Sequence, residues 1–251
     1  MLQLYRQRIR DIVVFAGFPT LRHNLRRARN EGLETLLDYQ RLAMLTAALS
    51  YTSHIEGDLI EFGTFRGGSA GVILQEISLE KTLHICDSFE GMPDASAEDN
   101  YHKKGDFSDT AAEKVRAGLA KLGGNFEMHV GYFSDTLREM KNRENLTFSF
   151  AHIDADLYQS ILECLGFCYP LMAKGSVIIF DDYGSPTCLG AKQAVDEFFE
   201  DKPETVVPLS QPSYACIIGG GDAFDEIAGH CGFPANLSYV RSMVFEQKAA
   251  G

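Results

Sequence analysis

The chain predicts an α/β protein: a seven-stranded, mostly parallel, doubly wound sheet with one antiparallel strand and helices on both faces. Three observations carry this. From Asp58 onward, short apolar runs alternate with helical patterns, which marks parallel strands joined by crossovers. Residues 148–184 read FSFAHIDADLYQSILECLGFCYPLMAKGSVIIFDDYG, a strand–helix–strand unit with two acids at each strand exit. Near the end, 205–209 and 214–218 form two β-like runs separated by Gln211-Pro212. Such close neighbours suggest an antiparallel pair at the sheet edge.

The elements follow in order. Residues 1–50 read as helical: Leu33, Leu36, Leu37, Tyr39, Leu42, Leu45 and Leu49 recur at helical spacing and bury one face. They are expected to form an N-terminal lid or extension. The apolar run at 58–62 is a strand, and the glycine-rich 63–69 leads into a helix over 70–77. A second strand, 82–86, ends at Asp87. The polar stretch 94–106 is expected to be a mobile loop. A helix over 109–122, a strand over 126–131 and a short helix over 135–141 precede the acid-bearing unit. In that unit the helix runs over 160–171 and closes at Lys174-Gly175. A last amphipathic helix covers 190–200. The expected α/β domain is 51–219, and no motif defines a role for 220–251.

Composition narrows the function. The chain has 251 residues, 45% of them hydrophobic, and a net charge of −12. That is enough apolar content for a core and the wrong sign for a general nucleic-acid surface. The six cysteines, at 86, 164, 168, 188, 216 and 231, form no CxxC pair. They read as reduced thiols of a cytoplasmic protein. The apolar run over 12–18 is short and lacks a small-residue cleavage site, so no signal peptide is expected. No run approaches the roughly 20 residues of a membrane span.

Two constellations carry chemistry. The first is Glu61-x-Gly63-x-x-x-Gly67-Gly68-Ser69 between strand and helix, followed 26 residues after Glu61 by Asp87. Glycines let a ligand approach the backbone. The spacing is neither GxGxxG nor a P-loop. An acid at the end of the second strand can accept hydrogen bonds from a ribose diol, or cap a turn. Glu61, between Ile60 and Phe62, is expected to be partly buried. It then needs a partner, either loop N–H groups or a cationic cofactor. Arg66 either meets a cofactor carboxylate or pairs with an acid to shape the loop.

The second constellation is the set Asp154, Asp156, Asp181 and Asp182. Open α/β sheets bind ligands outside the carboxyl ends of their strands, so these acids can converge there. A hard divalent cation such as Mg²⁺ would relieve their repulsion; capping or solvation is the plain alternative. On an alternating strand 152, 154 and 156 share a face. Asp154 is the first choice for ligand and base. His152 sits deeper, as a base or a core histidine. Asp156 is a candidate helix cap near Tyr158. Tyr158, Tyr183 and the 94–106 loop are candidate acceptor walls.

Taken together, EFGTFRGGS (61–69), CDSFEGMP (86–93), GYFSDTL (131–137), HIDADLY (152–158) and IIFDDYG (178–184) resemble the macrocin O-methyltransferase family of class I S-adenosylmethionine-dependent enzymes. The resemblance spans roughly 58–200. It implies a Rossmann-like methyltransferase fold and methyl transfer from S-adenosylmethionine to a hydroxyl of a small polyhydroxylated acceptor, such as a sugar of a glycosylated natural product. It places Glu61, Gly63, Thr64, Phe65, Arg66, Ser69, Asp87, Ser88, Gly131 and Phe133 around the cofactor. The metal would sit on Asp154, Asp181 and Asp182, with Asp154 and His152 as catalytic groups. A homodimer using the N-terminal helices or the tail is a further expectation. The rival readings are a glycosyltransferase, because Asp154-x-Asp156 is also a DxD motif, and a catalytically silent binding protein on the same fold.

Overall fold

The computed structural model describes residues 19–220 together with Glu226, Ile227 and His230. Two helices come first. α1 (Pro19–Asn30) starts on a proline, whose missing N–H costs nothing at a helix start. α2 (Tyr39–Thr52) is capped by Asp38, whose side chain accepts from the Arg41 N–H at 2.9 Å. Then follow β1 (Asp58–Phe62), α3 (Gly68–Glu76), β2 (Thr82–Asp87), α4 (Ala112–Leu122), β3 (Asn125–Val130), α5 (Phe133–Met140), β4 (Phe148–Ile153), α6 (Tyr158–Cys168), β5 (Met172–Phe180), α7 (Leu189–Phe199), β6 (Val207–Ser210) and β7 (Ser213–Ile217).

The seven strands lie in the order β3-β2-β1-β4-β5-β7-β6. Only β7 is reversed, antiparallel to both β5 and β6. The expected sheet and its antiparallel edge pair are therefore present. Strand alternation divides the core into two layers. Leu59, Leu83, Ile85, Phe150, Val177 and Ile179 face the helices α1 to α4. Ile60, Phe62, Cys86, Ala151, Ile178 and Phe180 face α5 to α7. Each layer buries its strand side chains against a helix stripe, which is the main source of stability in such a sheet.

Three local expectations change. The helix over 160–171 ends earlier, at Cys168. A 3-10 turn, Tyr169–Leu171, follows it and contains Pro170, which has no N–H to continue the helix. Lys174-Gly175 lies inside β5 rather than closing a helix; Gly175, at φ +84°, sits where the β4–β5 register shifts. The described part of residues 1–50 is core rather than a free cover: Leu21, Leu25, Ala28, Leu33, Leu42, Leu45 and Leu49 are buried. Among the described tail residues, Ile227 is buried in the same layer and Glu226 accepts from the Tyr51 hydroxyl at 2.6 Å.

The polar segment 94–106 is docked. Asp99 Oδ1 accepts from the Tyr158 N–H (2.9 Å), and its Oδ2 accepts from the Ser96 N–H (2.8 Å). Asn100 bridges Pro186 O and the Leu189 N–H. The loop thus ties the starts of α6 and α7 together. It is Asp99, not Asp156, that caps α6.

Candidate active site

The glycine loop is built around a close contact between strands. Gly63 sits at φ +80°, and a Cβ there would fall 1.7 Å from the Asp154 carbonyl oxygen. Only glycine lets the exits of β1 and β4 meet so closely. Glu61, fully buried, holds the loop from below. Its carboxylate accepts from the Thr64 hydroxyl (2.7 Å) and pairs with His152 Nδ1 (3.1 Å). Asp87 holds it from the side: Oδ2 accepts from the Thr64 and Phe65 N–H groups at 2.7 and 2.8 Å, and Oδ1 from the Phe89 N–H at 2.7 Å. Burial raises the Asp87 pKa, and the three backbone N–H groups pull it back. Much of the capacity that sequence reasoning reserved for a ribose is therefore spent on the loop, although Asp87 still lines the cavity.

That cavity has a volume of about 580 Å³ and lies across the carboxyl ends of the strands. Among the residues expected at the cofactor, Gly63, Thr64, Phe65, Ser69, Asp87, Ser88, Gly131 and Phe133 all line it. Two do not. Glu61 lies beneath the floor. Arg66 points away, paired with Glu34 and Asp109 at 2.5 Å each and lying over the Phe65 ring. Its geometry matches the loop-shaping alternative. Tyr158 and Tyr183 are not walls either, since their hydroxyls donate to Glu197 and Asp196 on α7. From the docked loop, Asp94, His102 and Lys104 do reach the cavity.

At the other end of the cavity the acids gather, but not in the expected set. Oxygens of Asp154, Asp156 and Asp182 lie within 4.8 Å of one another. Asp181 is turned out of the cavity. One oxygen pairs with Arg41 Nη1, and the other accepts from the Ser213 hydroxyl at 2.7 Å. His152 is also shut in: wholly buried, it does not line the cavity and lies between Glu61 and Asp181, whose nearest oxygen is 3.9 Å from Nε2. Burial alone would lower its pKa, but these two carboxylates outweigh it and raise the value to about 10. His152 thus braces Glu61 from within the core and does not face the cavity.

The electrostatics of the acids follow from placement. Burial, then Asp181 and Asp182, holds Asp154 well above the usual carboxylate range. Burial, then Asp156 and Asp181, does the same for Asp182. Asp181 goes the other way: burial would raise it, but His152 and Arg41 bring it down. Asp156 is raised by burial and partly relieved by His102. Its backbone is left-handed, at φ +54°. It accepts from the Cys188 thiol at 3.3 Å and lies 3.5 Å from His102 Nε2, while His102 Nδ1 is 3.4 Å from Asp106.

Sequence reasoning missed Arg41, His102 and Cys188 as cavity residues. Arg41 carries no motif and arrives from 140 residues away. His102 was visible only as one polar residue of a loop. The donor set suits a hard cation, because all three side chains offer only oxygen.

A glycine-lined pocket over the exits of β1 and β2, opening onto acids from β4 and β5 on a sheet with a reversed penultimate strand, defines a class I methyltransferase. The chain belongs to the macrocin-O-methyltransferase (TylF) family, whose pattern matches residues 10–215. It is 25% identical over 212 residues to mycinamicin III 3''-O-methyltransferase of Micromonospora griseorubida, covering 75% of this chain and 81% of that enzyme. It is 28% identical over 151 residues to 8-demethyl-8-(2,3-dimethoxy-alpha-L-rhamnosyl)-tetracenomycin-C 4'-O-methyltransferase of Streptomyces olivaceus. That match takes in 55% of this chain and spans little more than half of the relative, 57%. Among solved structures, the O-methyltransferase NovP superposes with a TM-score of 0.62 at 26% identity, over 73% of this chain and 81% of NovP. The family match sets aside the glycosyltransferase reading. No helix among the described residues is long and apolar enough to cross a membrane.

Proposed function

We propose that this protein transfers a methyl group from S-adenosylmethionine to a hydroxyl of a sugar on a glycosylated natural product, with a divalent cation such as Mg²⁺ in the acid cluster. The observation that carries this reading is the joining of donor loop and acids in one cavity through the Gly63–Asp154 contact. By name, one relative is a 4'-O-methyltransferase of a rhamnosyl-bearing tetracenomycin and the other a 3''-O-methyltransferase of mycinamicin III.

The donor, when bound, supplies an electrophilic methyl on a sulfonium, and the cation lowers the pKa of a coordinated hydroxyl. The chain's own residues do the rest. Gly63, Ser69, Asp87 and Gly131 would hold the donor against the strand exits. Asp154 and Asp182 would hold the cation, and Asp181 would join them only by giving up Arg41 and Ser213. Asp156 would take the acceptor's proton, since its pKa is raised and it faces the cavity beside His102. The His102–Asp106 contact then holds that relay in place. Leu36 and Leu37 at the cavity would shield the transfer from water.

Chelation of a neighbouring acceptor oxygen adds a specific expectation. A cation that demands about six oxygens has room for two from the acceptor, so vicinal diols should be preferred. The test pairs diol sugars with mono-deoxy analogues, using labelled donor with Mg²⁺ or with excess chelator. Expected are loss of turnover in chelator and a fall in kcat/KM of roughly a hundredfold or more without the second hydroxyl. Full turnover in chelator would remove the cation from the reading. Failure to bind S-adenosylhomocysteine would remove the donor.

A further inference from the structure

On the opposite side of β2 from the glycine-loop helix, away from the cavity, two imidazoles and a carboxylate converge. His84 of β2 and His129 of β3 stack with ring centroids 5.3 Å apart, and His84 Nδ1 lies 3.1 Å from His129 Nε2. Glu127 Oε2 is 3.8 Å from the first nitrogen and 3.9 Å from the second. None of the three lines the methyl-transfer cavity. From this geometry we infer a binding site for a borderline transition-metal ion of the Zn²⁺ class, held by His84, Glu127 and His129.

The distances fit. A tetrahedral ion with bonds of about 2.1 Å sets its ligand atoms about 3.4 Å apart. The triangle of 3.1, 3.8 and 3.9 Å brackets that value. Two imidazole nitrogens with one carboxylate select Zn²⁺, Co²⁺ or Ni²⁺ over Mg²⁺ or Ca²⁺, which prefer oxygen.

The surroundings give independent support. His84 Nε2 lies 3.4 Å from Asp58 Oδ2, while the other oxygen of Asp58 accepts from the Thr82 N–H at 2.8 Å. A metal-bound histidine commonly gives its second N–H to a carboxylate, which fixes the ring and its tautomer. With that proton on Nε2, the His84 Nδ1 lone pair points at the shared centre, and the hydrogen between the two rings sits on His129 Nε2. Loading the ion moves that hydrogen to His129 Nδ1, so the ring stays neutral. Burial lowers both histidines below their ordinary value, so both are uncharged at neutral pH, as a ligand must be. His84 is nearly inaccessible, whereas Glu127 is half exposed on the edge strand, which leaves a path for an ion. Arg143 pairs with Glu127 Oε2 beside the centre. It competes with the ion for that oxygen.

The test uses the full chain stripped with chelator, in excess Mg²⁺. It carries Asp154→Asn, Asp182→Asn and Cys188→Ser so that neither the acid cluster nor the His102, Asp156 and Cys188 group takes up Zn²⁺. Calorimetry should show one equivalent of Zn²⁺ bound. His129→Gln should weaken it at least a hundredfold and Glu127→Gln at least tenfold. Asp58→Asn, which touches no ion directly, should weaken it by about 10- to 100-fold. Arg143→Gln, an exposed change that leaves the core alone, should tighten binding several-fold by freeing Glu127. Melting curves of the metal-free variants check that each is folded. Absence of stoichiometric uptake, or uptake indifferent to both His129→Gln and Arg143→Gln, would overturn the site and leave the cluster a hydrogen-bonded clip between β2 and β3.

Discussion

Replacing Gly63 by alanine should damage both stability and donor binding, and the structure sets the size of the effect. The residue is at φ +80°, where a side chain costs about 1–2 kcal/mol. Its Cβ would also stand 1.7 Å from the Asp154 carbonyl oxygen, a backbone atom that cannot rotate away. Forcing β1 and β4 apart adds an overpacking cost of about 1–3 kcal/mol. The sum is about 2–5 kcal/mol, which for a chain of this size lowers Tm by roughly 5–15 °C. Gly105→Ala is the matched control. Gly105 has a similar φ of +85° but nothing within 4 Å of its would-be Cβ, so it should lose only the conformational share, about 1–2 kcal/mol. Urea unfolding of both variants measures the difference, and calorimetry with S-adenosylhomocysteine measures the site. If the two variants lose the same stability and Gly63→Ala binds normally, the contact does not couple the donor loop to the acids.

Other outcomes follow from the same geometry. Asp87→Ala should weaken S-adenosylhomocysteine at least tenfold, about 1.4 kcal/mol, because the Thr64 and Phe65 N–H groups lose their common acceptor; unchanged calorimetry would show the loop to be self-supporting. The raised values of Asp154, Asp156 and Asp182 mean that the folded, cation-free protein holds protons the unfolded chain has released. Their contribution is therefore present below the ordinary carboxylate value of about 4 and is lost as pH rises through the folded values. The rise in Tm on adding Mg²⁺ should accordingly be larger at pH 8 than at pH 5, and equal shifts would contradict this. Asp99→Ala should cost about 0.5–2 kcal/mol through the lost α6 cap and speed hydrogen exchange across 94–106; an unaltered exchange rate would mean the loop is held by other contacts.

Much of the fold was legible because period-two alternation and strand-exit acids are local signals. Leu59 and Ile60, or Ile178 and Ile179, announce opposite faces without any knowledge of the rest of the chain. The donor end of the cavity was legible for the same reason: its residues follow their strands directly. The acid end was only half legible. That Asp156 rather than Asp181 joins Asp154 and Asp182 depends on Arg41, Ser213 and His152 drawing Asp181 away. Those partners come from three other elements, and spacing carries no trace of them. The cap of α6 shows the same limit. Asp156 stands close to the helix start, yet a residue 59 positions away does the work. Arg66 shows the limit again: both of its readings were open, and only its distant partners Glu34 and Asp109 place it with the loop rather than the cavity.

The left-handed backbone of Asp156 bears on how this protein should be dissected. Alanine scanning assumes that removing a side chain changes only what the side chain touched. At φ +54° that assumption fails, because alanine tolerates this region worse than aspartate or asparagine does. Asp156→Ala would mix a backbone penalty with the loss of a carboxylate, and a dead variant would be uninterpretable. Asparagine keeps the local conformation and the shape while deleting the charge, and glycine removes the side chain while relaxing the backbone. Read as a pair, they separate the chemistry of position 156 from the geometry that presents it.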